Sequence, residues 1–471
     1  MGYMTAYAAL LLWPVVALGL YLSMPVGRAT IWTLLAGYLI LPIVTSFDFP
    51  GIPSLDKSSI PSLAAFVLAP LMSRSREFRW PRSKFVNLLM LVYVLVPFGT
   101  AMNNPDPIVV GATTLPGLGF REGLAAAAGN VITLIPFVLG AALLGNAKGH
   151  RDVLMALVLA ALAYSLPIIF ELRMSPSLQG WIYGVSQEGM FMQQVRGGGY
   201  RASVFLGHGL LVSTFLVMAL VASIGLTRVR AQLFTVPMGL VAGYLAAVLV
   251  LNKSVGALFL GLAFGPLLFV MAKRQFVSMA FLLSLLVLTY PFVRGADILP
   301  ISSAVESVRS LSAERAESLE FRLRNEDLLL RRAQERPWFG WGSYGRNRVL
   351  VVTSWGATQD VSVTDGTWVI TIGVAGWLGY LASFGLLTYP VWRAFRLRRL
   401  GLPMATVTLI AVHLVNLLDL IPNSSLRPFT WLLAGAVASM RAASLGLSRP
   451  MPRAVERRDA EVALPEPAVP A

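Results

Sequence analysis

Basic side chains and glycines stand together at three places along this chain, each beside an apolar run. The first place runs from Arg196 to Arg201, holds three consecutive glycines, and is followed by His208 in the next run. Glycine lets backbone approach a ligand closely, and an arginine guanidinium offers a planar fork of donors for phosphate or carboxylate. Arg201 lies at the start of an apolar run, where burying a charged side chain without a partner is costly. Its position therefore favours a functional role for this arginine.

The second place is a tight turn between two apolar runs, and it contains Lys253. The third is the long polar segment 294–364, which contains Arg322 and Arg324 and is followed directly by Asp365. Basic groups near the ends of apolar runs predict an anionic substrate such as a diphosphate, held by charge-assisted hydrogen bonds. A carboxylate or an imidazole beside them could accept a proton from an attacking hydroxyl.

Each candidate residue also has a purely structural interpretation, and the sequence leaves these open. Arg196 fits a solvated loop charge, and Lys253 fits a side chain that extends to the lipid headgroups. His208 fits a hydrogen-bonded helix residue, and Asp365 fits the N-cap of the following helix. The arginines of 304–336 are mostly explained by ion pairs four residues apart within one helix.

Composition excludes several other kinds of site. The chain has no cysteine, and its three histidines are scattered without metal-ligand spacing, so we expect neither a bound metal nor another cofactor. A phosphate-binding loop of the GxxxxGK[ST] type is absent, which argues against an ATP-driven pump. The net charge of +15 lies largely in short loops between apolar runs. That distribution is typical of cytoplasmic membrane loops and gives no reason to expect nucleic-acid binding.

The amount of apolar sequence predicts a membrane protein. Of the 471 residues, 56% are hydrophobic and 13% are charged, and the mean hydropathy is +0.69. Soluble domains carry about 25% charged residues, so lipid must be the main solvent of this chain. Apolar runs of about 20 residues match helices that cross a bilayer. The predicted fold class is therefore all-α, a polytopic bundle of about 12–14 transmembrane helices.

Basic loops after alternate runs set the expected topology. The runs fall at about 4–23, 29–46, 61–72, 85–101, 127–145, 153–171, 205–225, 233–252, 255–272, 276–293, 366–390, 403–421 and 429–441. If each run crosses once, the basic loops share the cytoplasmic side, with the N-terminus outside and the C-terminus inside. We expect a transmembrane domain over 1–445, including an extracytoplasmic loop at 294–364, and a disordered cytoplasmic tail over 446–471.

Within that loop, residues 304–336 read as a helix with ion pairs such as Glu320–Arg324 and Asp327–Arg331. Pro337 ends the helix, and the turn 337–342 follows with aromatic residues that suit a membrane interface. Its Trp341 joins the candidate substrate-binding residues.

Taken in order, these stretches resemble the superfamily of O-antigen ligases and O-antigen or exopolysaccharide polymerases. That pattern has an Arg-Gly-rich approach to a helix, a small polar turn that opens a later helix, and a large external loop. The loop carries an arginine and a Pro-aromatic-Gly-x-Gly element, and it ends at a polar residue before a Gly-rich helix. The matching stretches here are 196–201, 252–256, Arg322 or Arg324, 337–342 and 365–379.

The resemblance implies a metal-independent, inverting glycosyltransferase of the bacterial inner membrane, with its active face in the periplasm. Its substrate would be an undecaprenyl-diphosphate-linked oligosaccharide, and its partners would include membrane lipids and a chain-length regulator protein. We expect Arg201, with Asp365 or His208, to act in catalysis. Arg196, Lys253, Arg322, Arg324 and Trp341 are expected to bind substrate.

Two departures from the superfamily's pattern favour a polymerase of repeat units over a lipid A ligase. Ligases usually carry histidine where this chain has Asp365, and arginine where it has Lys253. A ligase with a lipid or protein acceptor remains an alternative, and so does a transporter or flippase of lipid-linked glycans. Transporters usually place ionisable residues near mid-membrane, and the apolar runs here have almost none. A noncatalytic scaffold would not need the arginine clusters.

Overall fold

Apolar runs form most of the helices of the computed structural model, which describes residues 2–49, 51–73, 78, 80–184, 194–196, 198–296, 301–310, 312–441 and 445. The helices are α1 (Gly2–Ser23), α2 (Val26–Ile40), α3 (Ser59–Met72), α4 (Lys84–Met102), α5 (Phe120–Leu143), α6 (Ala147–Met174), α7 (Leu178–Tyr183), α8 (Gly209–Thr227), α9 (Met238–Leu251), α10 (Val255–Val270), α11 (Lys273–Gly295), α12 (Ile301–Arg309), α13 (Ala313–Gln334), α14 (Thr367–Leu397), α15 (Met404–Asp419) and α16 (Pro428–Ala438). The tail predicted at 446–471 lies outside the described residues.

Every predicted apolar run contains one helix, and the all-α multi-pass membrane fold is confirmed at that level. Among the described residues, seven helices are long and apolar enough to cross a bilayer, namely α1, α4, α5, α6, α8, α11 and α14. Six further apolar helices are shorter, and α16 has only 11 residues. At 1.5 Å per residue α16 extends about 16 Å, roughly half the hydrocarbon thickness, and its side chains are almost all buried.

Close packing of α16 against α5 depends on two glycines. A Cβ atom added at Gly140 would overlap the carbonyl oxygen of Leu432. One added at Gly435 would overlap the carbonyl oxygen of Phe137. Small residues let helix backbones approach in lipid, where no hydrophobic force drives them together. This pair forms part of a buried centre that also contains α8 and α15.

The described residues also form four short antiparallel hairpins, and none of them was predicted. They are β1 (Ile108–Val110) with β2 (Thr113–Leu115), β3 (Val195–Arg196) with β4 (Gly199–Tyr200), β5 (Gln232–Leu233) with β6 (Val236–Pro237), and β7 (Leu350–Val352) with β8 (Thr358–Asp360). The first and last hairpins are joined where the Thr358 hydroxyl donates to the Val110 carbonyl at 2.7 Å. They form a small β platform.

Contacts between connecting segments define two ends of the bundle. The loop end comprises the described residues of 41–58, 103–119, 175–208, 252–254, 296–366 and 420–427. The basic end comprises those of 24–25, 73–83, 144–146, 228–237, 271–272 and 398–403. At the loop end, for example, the Asn104 amide donates to the Gly340 carbonyl at 3.0 Å. At the basic end, the Lys273 ammonium donates to the Leu402 carbonyl at 2.9 Å.

The helix predicted over 304–336 is two helices, α12 and α13, which are separated near Ser312. The ion pairs predicted within it are also wrong. Glu320 pairs with Arg309 of α12 at 3.2 Å, and Asp327 pairs with Arg294 of α11 at 2.6 Å. The acidic side chains therefore fasten α13 to its neighbours, because ion pairs between packed elements compete with those along one exposed helix face.

Helix α14 contains a break that a turn of the preceding loop fills. Gly376 has φ 64° and ψ −169°, which is not helical. Four backbone hydrogen bonds join the flanking turns of α14 to residues 337–342. They run from Trp341 N to Gly373 O (2.8 Å), Gly342 N to Val374 O (2.9 Å), Trp377 N to Pro337 O (2.7 Å) and Leu378 N to Trp338 O (3.2 Å). The backbone groups that the break would leave unpaired are therefore hydrogen-bonded to residues 337–342, as buried backbone groups require.

Glycines allow the 337–342 turn, which we call the docked turn, to lie against its neighbours. A Cβ atom at Gly340 would be 2.6 Å from the Val374 carbonyl oxygen, too close for any real side chain. Gly99 of α4 leaves room for the Phe339 ring in the same way. The Thr100 hydroxyl also donates to the Phe339 carbonyl at 2.6 Å. The Pro-aromatic-Gly-x-Gly element therefore has a structural explanation in backbone packing.

Candidate functional site

Arg201 is buried at the loop end, directly before α8. Its side chain is 8% exposed, and its Nη2 donates to the Lys253 carbonyl at 3.2 Å. Its backbone N–H donates to the Gln194 carbonyl at 2.7 Å. The aliphatic part of Arg201 packs so closely on Gly209 that a Cβ atom there would overlap Arg201 Cδ. The first two predicted clusters thus meet around one buried guanidinium.

The β3–β4 hairpin brings a glycine against the lysine of the second cluster. A Cβ atom at Gly199 would lie 2.7 Å from Lys253 Nζ, so the ammonium lies directly against the glycine backbone. Gly198 makes the hairpin turn with φ 70°, a conformation that glycine adopts without strain. Arg196 pairs through its backbone with Gly199, and its side chain lies outside the described part of the structure. Lys253 itself has φ 53°, which is uncommon away from glycine and marks a constrained turn.

Asn252 fixes that turn to the rest of the cluster. Its Oδ1 accepts from the Ala202 N–H at 3.1 Å, and its Nδ2 donates to the Ser213 hydroxyl at 2.8 Å. The side chain is fully buried. An amide that both accepts and donates can hold two chain segments at once. The α9–α10 turn, the segment after Arg201 and α8 therefore form one unit.

Glu171, at the end of α6, holds the irregular segment between Arg201 and α8. Its two carboxylate oxygens accept from the backbone N–H groups of Ser203 (2.9 Å), Val204 (2.7 Å) and Leu178 (3.1 Å). A buried carboxylate needs such donors, because desolvation without them is costly. Glu171 was not among the residues predicted for the site. Its position in apolar sequence was the one signal that a buried partner existed.

Lys57 supports the same segment from the other side, and sequence reasoning missed it. Its ammonium donates to the Phe205 carbonyl at 2.6 Å and lies 5.5 Å from the centre of the Tyr38 ring. Burial, reinforced by the Arg427 guanidinium, lowers the pKa of the Lys57 ammonium to about 7 despite the opposing charge of Asp56. A lysine with a lowered pKa therefore contacts the segment that joins Arg201 to α8.

The lowered pKa of Lys57 predicts a pH dependence of stability. Unfolded lysine has a pKa of about 10.4, so between pH 7 and 10 the unfolded chain binds a proton that the folded protein does not. The contribution of Lys57 is therefore most unfavourable below pH 7, and stability rises with pH across this window. We expect Lys57→Met to flatten that rise in unfolding temperature, measured in detergent from pH 6 to 10. Lys84→Met, at an exposed lysine of α4, is the control, and an unchanged slope in Lys57→Met would contradict the assignment.

His208 is the N-cap residue of α8. Its Nδ1 accepts from the Leu210 N–H at 3.1 Å, which leaves Nε2 as the nitrogen that carries the proton of a neutral ring. The ring is half-buried and lies one residue from Gly209, against which Arg201 packs. The capping hydrogen bond gives His208 a structural role. Its predicted part as a base stays a prediction.

A series of hydrogen bonds connects α8 to the start of α14. The Thr214 hydroxyl donates to Asp419 Oδ2 at 3.0 Å, and Asp419 Oδ1 accepts from the Asn423 amide at 2.8 Å. The Asn423 carbonyl in turn accepts from the Thr367 hydroxyl at 2.8 Å. Thr367 lies two residues after Asp365, so this series relates the Arg201 cluster to the third predicted cluster.

Asp365 and Arg322 come together at the loop end. Arg322 Nε lies 3.7 Å from Asp365 Oδ2, and the two side chains are 38% and 40% exposed. The N-cap residue of α14 is Gly366, and the described residues show no capping hydrogen bond there, so the cap interpretation of Asp365 is wrong. Arg324 lies on an exposed part of α13 and has no ion-pair partner among the described residues. An accessible carboxylate beside an arginine is chemically able to accept a proton.

Arg294, which sequence reasoning also missed, anchors α13 beneath this pair. The side chain is 4% exposed, and its Nη2 lies 2.6 Å from Asp327 while its Nε lies 3.6 Å from Glu326. Burial raises the pKa of the Glu326 carboxyl, while Arg294 and the Tyr290 hydroxyl oppose the rise. The Tyr290 hydroxyl donates to Glu326 at 3.3 Å. These contacts hold α13, and with it Arg322, against α11.

Trp341 is enclosed by its own loop. Its Nε1 donates to the Arg332 carbonyl at 2.7 Å, and the Arg332 guanidinium lies 3.4 Å from the ring centre. The side chain is 8% exposed. Burial and the stacked arginine give Trp341 a structural role in the docked turn. Its predicted contact with substrate stays a prediction.

The described residues contain no group of three or more histidine and acidic residues placed to hold a metal ion. Comparison of the chain with protein-family models, with curated proteins and with solved structures found no match. The functional argument therefore depends on the contacts above. The chemistry they support is the binding of an anionic group by Arg201 and Lys253, and the acceptance of a proton by the exposed Asp365 carboxylate beside Arg322.

Proposed function

We propose that the protein is a membrane glycosyltransferase that joins polyprenyl-diphosphate-linked glycan repeat units at its loop end. The observation that carries the proposal is the convergence of Arg201, Lys253 and Gly199 at one site. A buried guanidinium and a nearby ammonium beside exposed glycine backbone suit a diphosphate, and adjacent apolar helices suit its lipid tail. We propose undecaprenyl diphosphate as the lipid carrier.

The proposed reaction needs no metal. The hydroxyl of one lipid-linked glycan attacks the anomeric carbon of another, and its proton passes to the Asp365 carboxylate. The bond between the anomeric carbon and the diphosphate oxygen breaks, and the electron pair leaves with the polyprenyl diphosphate. Arg201 and Lys253 stabilise the negative charge that grows on this leaving group. Attack from the face opposite to the diphosphate inverts the anomeric configuration, and Arg322 orients Asp365.

In this proposal the loop end faces the periplasm and the basic end faces the cytoplasm of a bacterial cell. Every charged side chain in the described segments of the basic end is basic, as expected for loops that remain inside. The six short apolar helices then cross together with the seven long ones, which gives thirteen crossings and places the segment 294–364 outside. A chain-length regulator would act on the same side.

The break in α14 bears on the transporter alternative. Transporters use broken helices to expose backbone groups to a substrate or ion near mid-membrane. Around Gly376, four of the backbone groups are bonded to the docked turn. Because these backbone groups are already hydrogen-bonded within the protein, they are not available to bind an ion. The break in α14 therefore supports a structural role and not a transport site.

The decisive experiment is reconstitution of the purified full-length chain with diphosphate-lipid-linked repeat units alone. We expect a ladder of longer lipid-linked glycans and release of polyprenyl diphosphate, read by gel and mass spectrometry. Folded protein that extends nothing would contradict the polymerase proposal. Transfer that appears only when a lipid or protein acceptor is added would identify a ligase.

Asp365→Asn tests the proposed base in the same assay. The amide cannot accept the proton, so we expect the rate to fall by at least about 100-fold, a typical contribution of general base catalysis. Asp360→Asn is the matched control, because Asp360 also pairs with an arginine, Arg348 at 2.7 Å, in the same loop. Equal rates for the two variants would remove Asp365 from the mechanism.

A further inference from the structure

A large cavity lies at the basic end, remote from the proposed site. Its volume is about 660 Å³, and it opens between the ends of α2, α4, α5, α6, α14 and α16. Residues at the start of α2 and in the loop 80–83 form part of its wall. A cavity of this size accommodates a headgroup or a small ligand.

The charge of the cavity is strongly positive. Five basic side chains and one carboxylate line it: Arg28, Arg82, Lys148, Arg393, Arg441 and Asp152. The carboxylate is already used, because Arg28 Nη2 lies 2.9 Å from Asp152 Oδ1. Neither Arg82 nor Lys148 has an ion-pair partner within the described ranges, and both side chains are exposed. The N-terminal turn of α6 adds the positive end of a helix dipole.

An apolar groove adjoins the cavity across the Arg28–Asp152 pair. This second space measures about 520 Å³ and shares Arg28, Lys148 and Asp152 with the first. Its remaining lining comes from the faces of α2 and α6 and consists of Arg151 and five apolar residues: Ile31, Trp32, Met155, Ala156 and Leu159. A cationic cavity that continues into an apolar groove matches a molecule with an anionic head and a hydrocarbon chain.

We infer that this cavity binds an anionic phospholipid of the leaflet that the basic end faces. The phosphate lies near Arg82 and Lys148, and one acyl chain lies in the groove between α2 and α6. Basic residues that only set membrane orientation need no cavity around them, and they need no apolar continuation. A basic cavity that continues into an apolar groove therefore indicates a lipid-binding site and not merely positive charge that orients the protein in the membrane. The inference does not depend on the proposed glycosyl transfer.

The test compares lipids that differ only in headgroup. Full-length protein in detergent is titrated with phosphatidylglycerol or with phosphatidylcholine of the same acyl chains, and binding is read by native mass spectrometry and by unfolding temperature. We expect preferential binding of phosphatidylglycerol. Arg82→Gln with Lys148→Gln should weaken it about 25-fold, since each basic residue near a membrane surface contributes about fivefold.

Arg274→Gln is the matched control, because Arg274 is an exposed residue in the first turn of α11, next to the basic end, and lines neither space. It should bind phosphatidylglycerol like the unmodified protein. Inorganic phosphate is tested alone, and equal stabilisation by free phosphate would overturn the lipid assignment in favour of a soluble anion. Equal affinity for the two lipids, or equal loss in the double variant and the control, would also overturn it.

Discussion

Arg201→Ala is expected to reduce glycan polymerisation by at least about 100-fold while the protein remains folded in the membrane. The guanidinium is buried and donates to the Lys253 carbonyl. In the proposed mechanism it stabilises the charge on the leaving diphosphate, and loss of one such donor commonly costs that much. The change also removes the aliphatic part of the Arg201 side chain, which packs against Gly209. Reconstituted protein should be assayed at saturating substrate, so that the catalytic rate is separated from binding.

Two further variants make the Arg201 result specific. Arg201→Lys keeps the charge but not the planar fork, so we expect it to restore little activity. Arg121→Ala removes an exposed arginine at the start of α5, also at the loop end, and should leave the rate unchanged. Near-normal polymerisation by well-folded Arg201→Ala protein would refute the proposed site.

Gly376→Ala is expected to destabilise the protein by at least ~3 kcal/mol. The backbone at this residue, φ 64° and ψ −169°, is in a region that is essentially restricted to glycine. A Cβ atom would also overlap the backbone of Trp338 in the docked turn. Both costs act together, and large single-residue effects arise from such mechanisms. The unfolding midpoint in detergent, measured with a denaturant series, gives the change.

Gly256→Ala provides the comparison for this substitution. Gly256 lies in the first turn of α10, and a Cβ atom there meets nothing within 4 Å. Alanine favours helix over glycine, so that variant should be as stable as the parent or slightly more stable. If Gly376→Ala unfolds at the same denaturant concentration as Gly256→Ala, the docked turn does not hold α14 as described.

Helices were the most predictable part of the fold, because each apolar run of sufficient length must form one in lipid. The hairpins were not predictable, since β3 and β4 have two residues each and show no alternation of side chains. The break in α14 was equally hidden. In the sequence Gly376 looks like the other glycines of α14, and only its contact with residues 337–342 in the structure sets it apart.

The candidate site was predictable as residue types and not as an arrangement. Arg201 and Lys253 were expected to share a ligand, and the structure brings them together through a backbone carbonyl. The supporting residues are separated by long stretches of sequence: Lys57 contacts Phe205, and Thr214 contacts Asp419, 205 positions away. A single polar residue in apolar sequence indicates that the side chain needs a hydrogen-bond partner, but the local sequence does not indicate which residue that partner is.

The docked turn and the break in α14 depend on each other, so the two segments can be replaced only together. A chimera that received the segment 294–364 from another protein would also need a matching break in α14, or the backbone groups now joined would lose their partners. Between the two lies the β7–β8 hairpin, whose tip at 354–357 is exposed. Insertions and deletions that diversify the loop should therefore collect at this tip, while the spacing inside 337–342 stays constant.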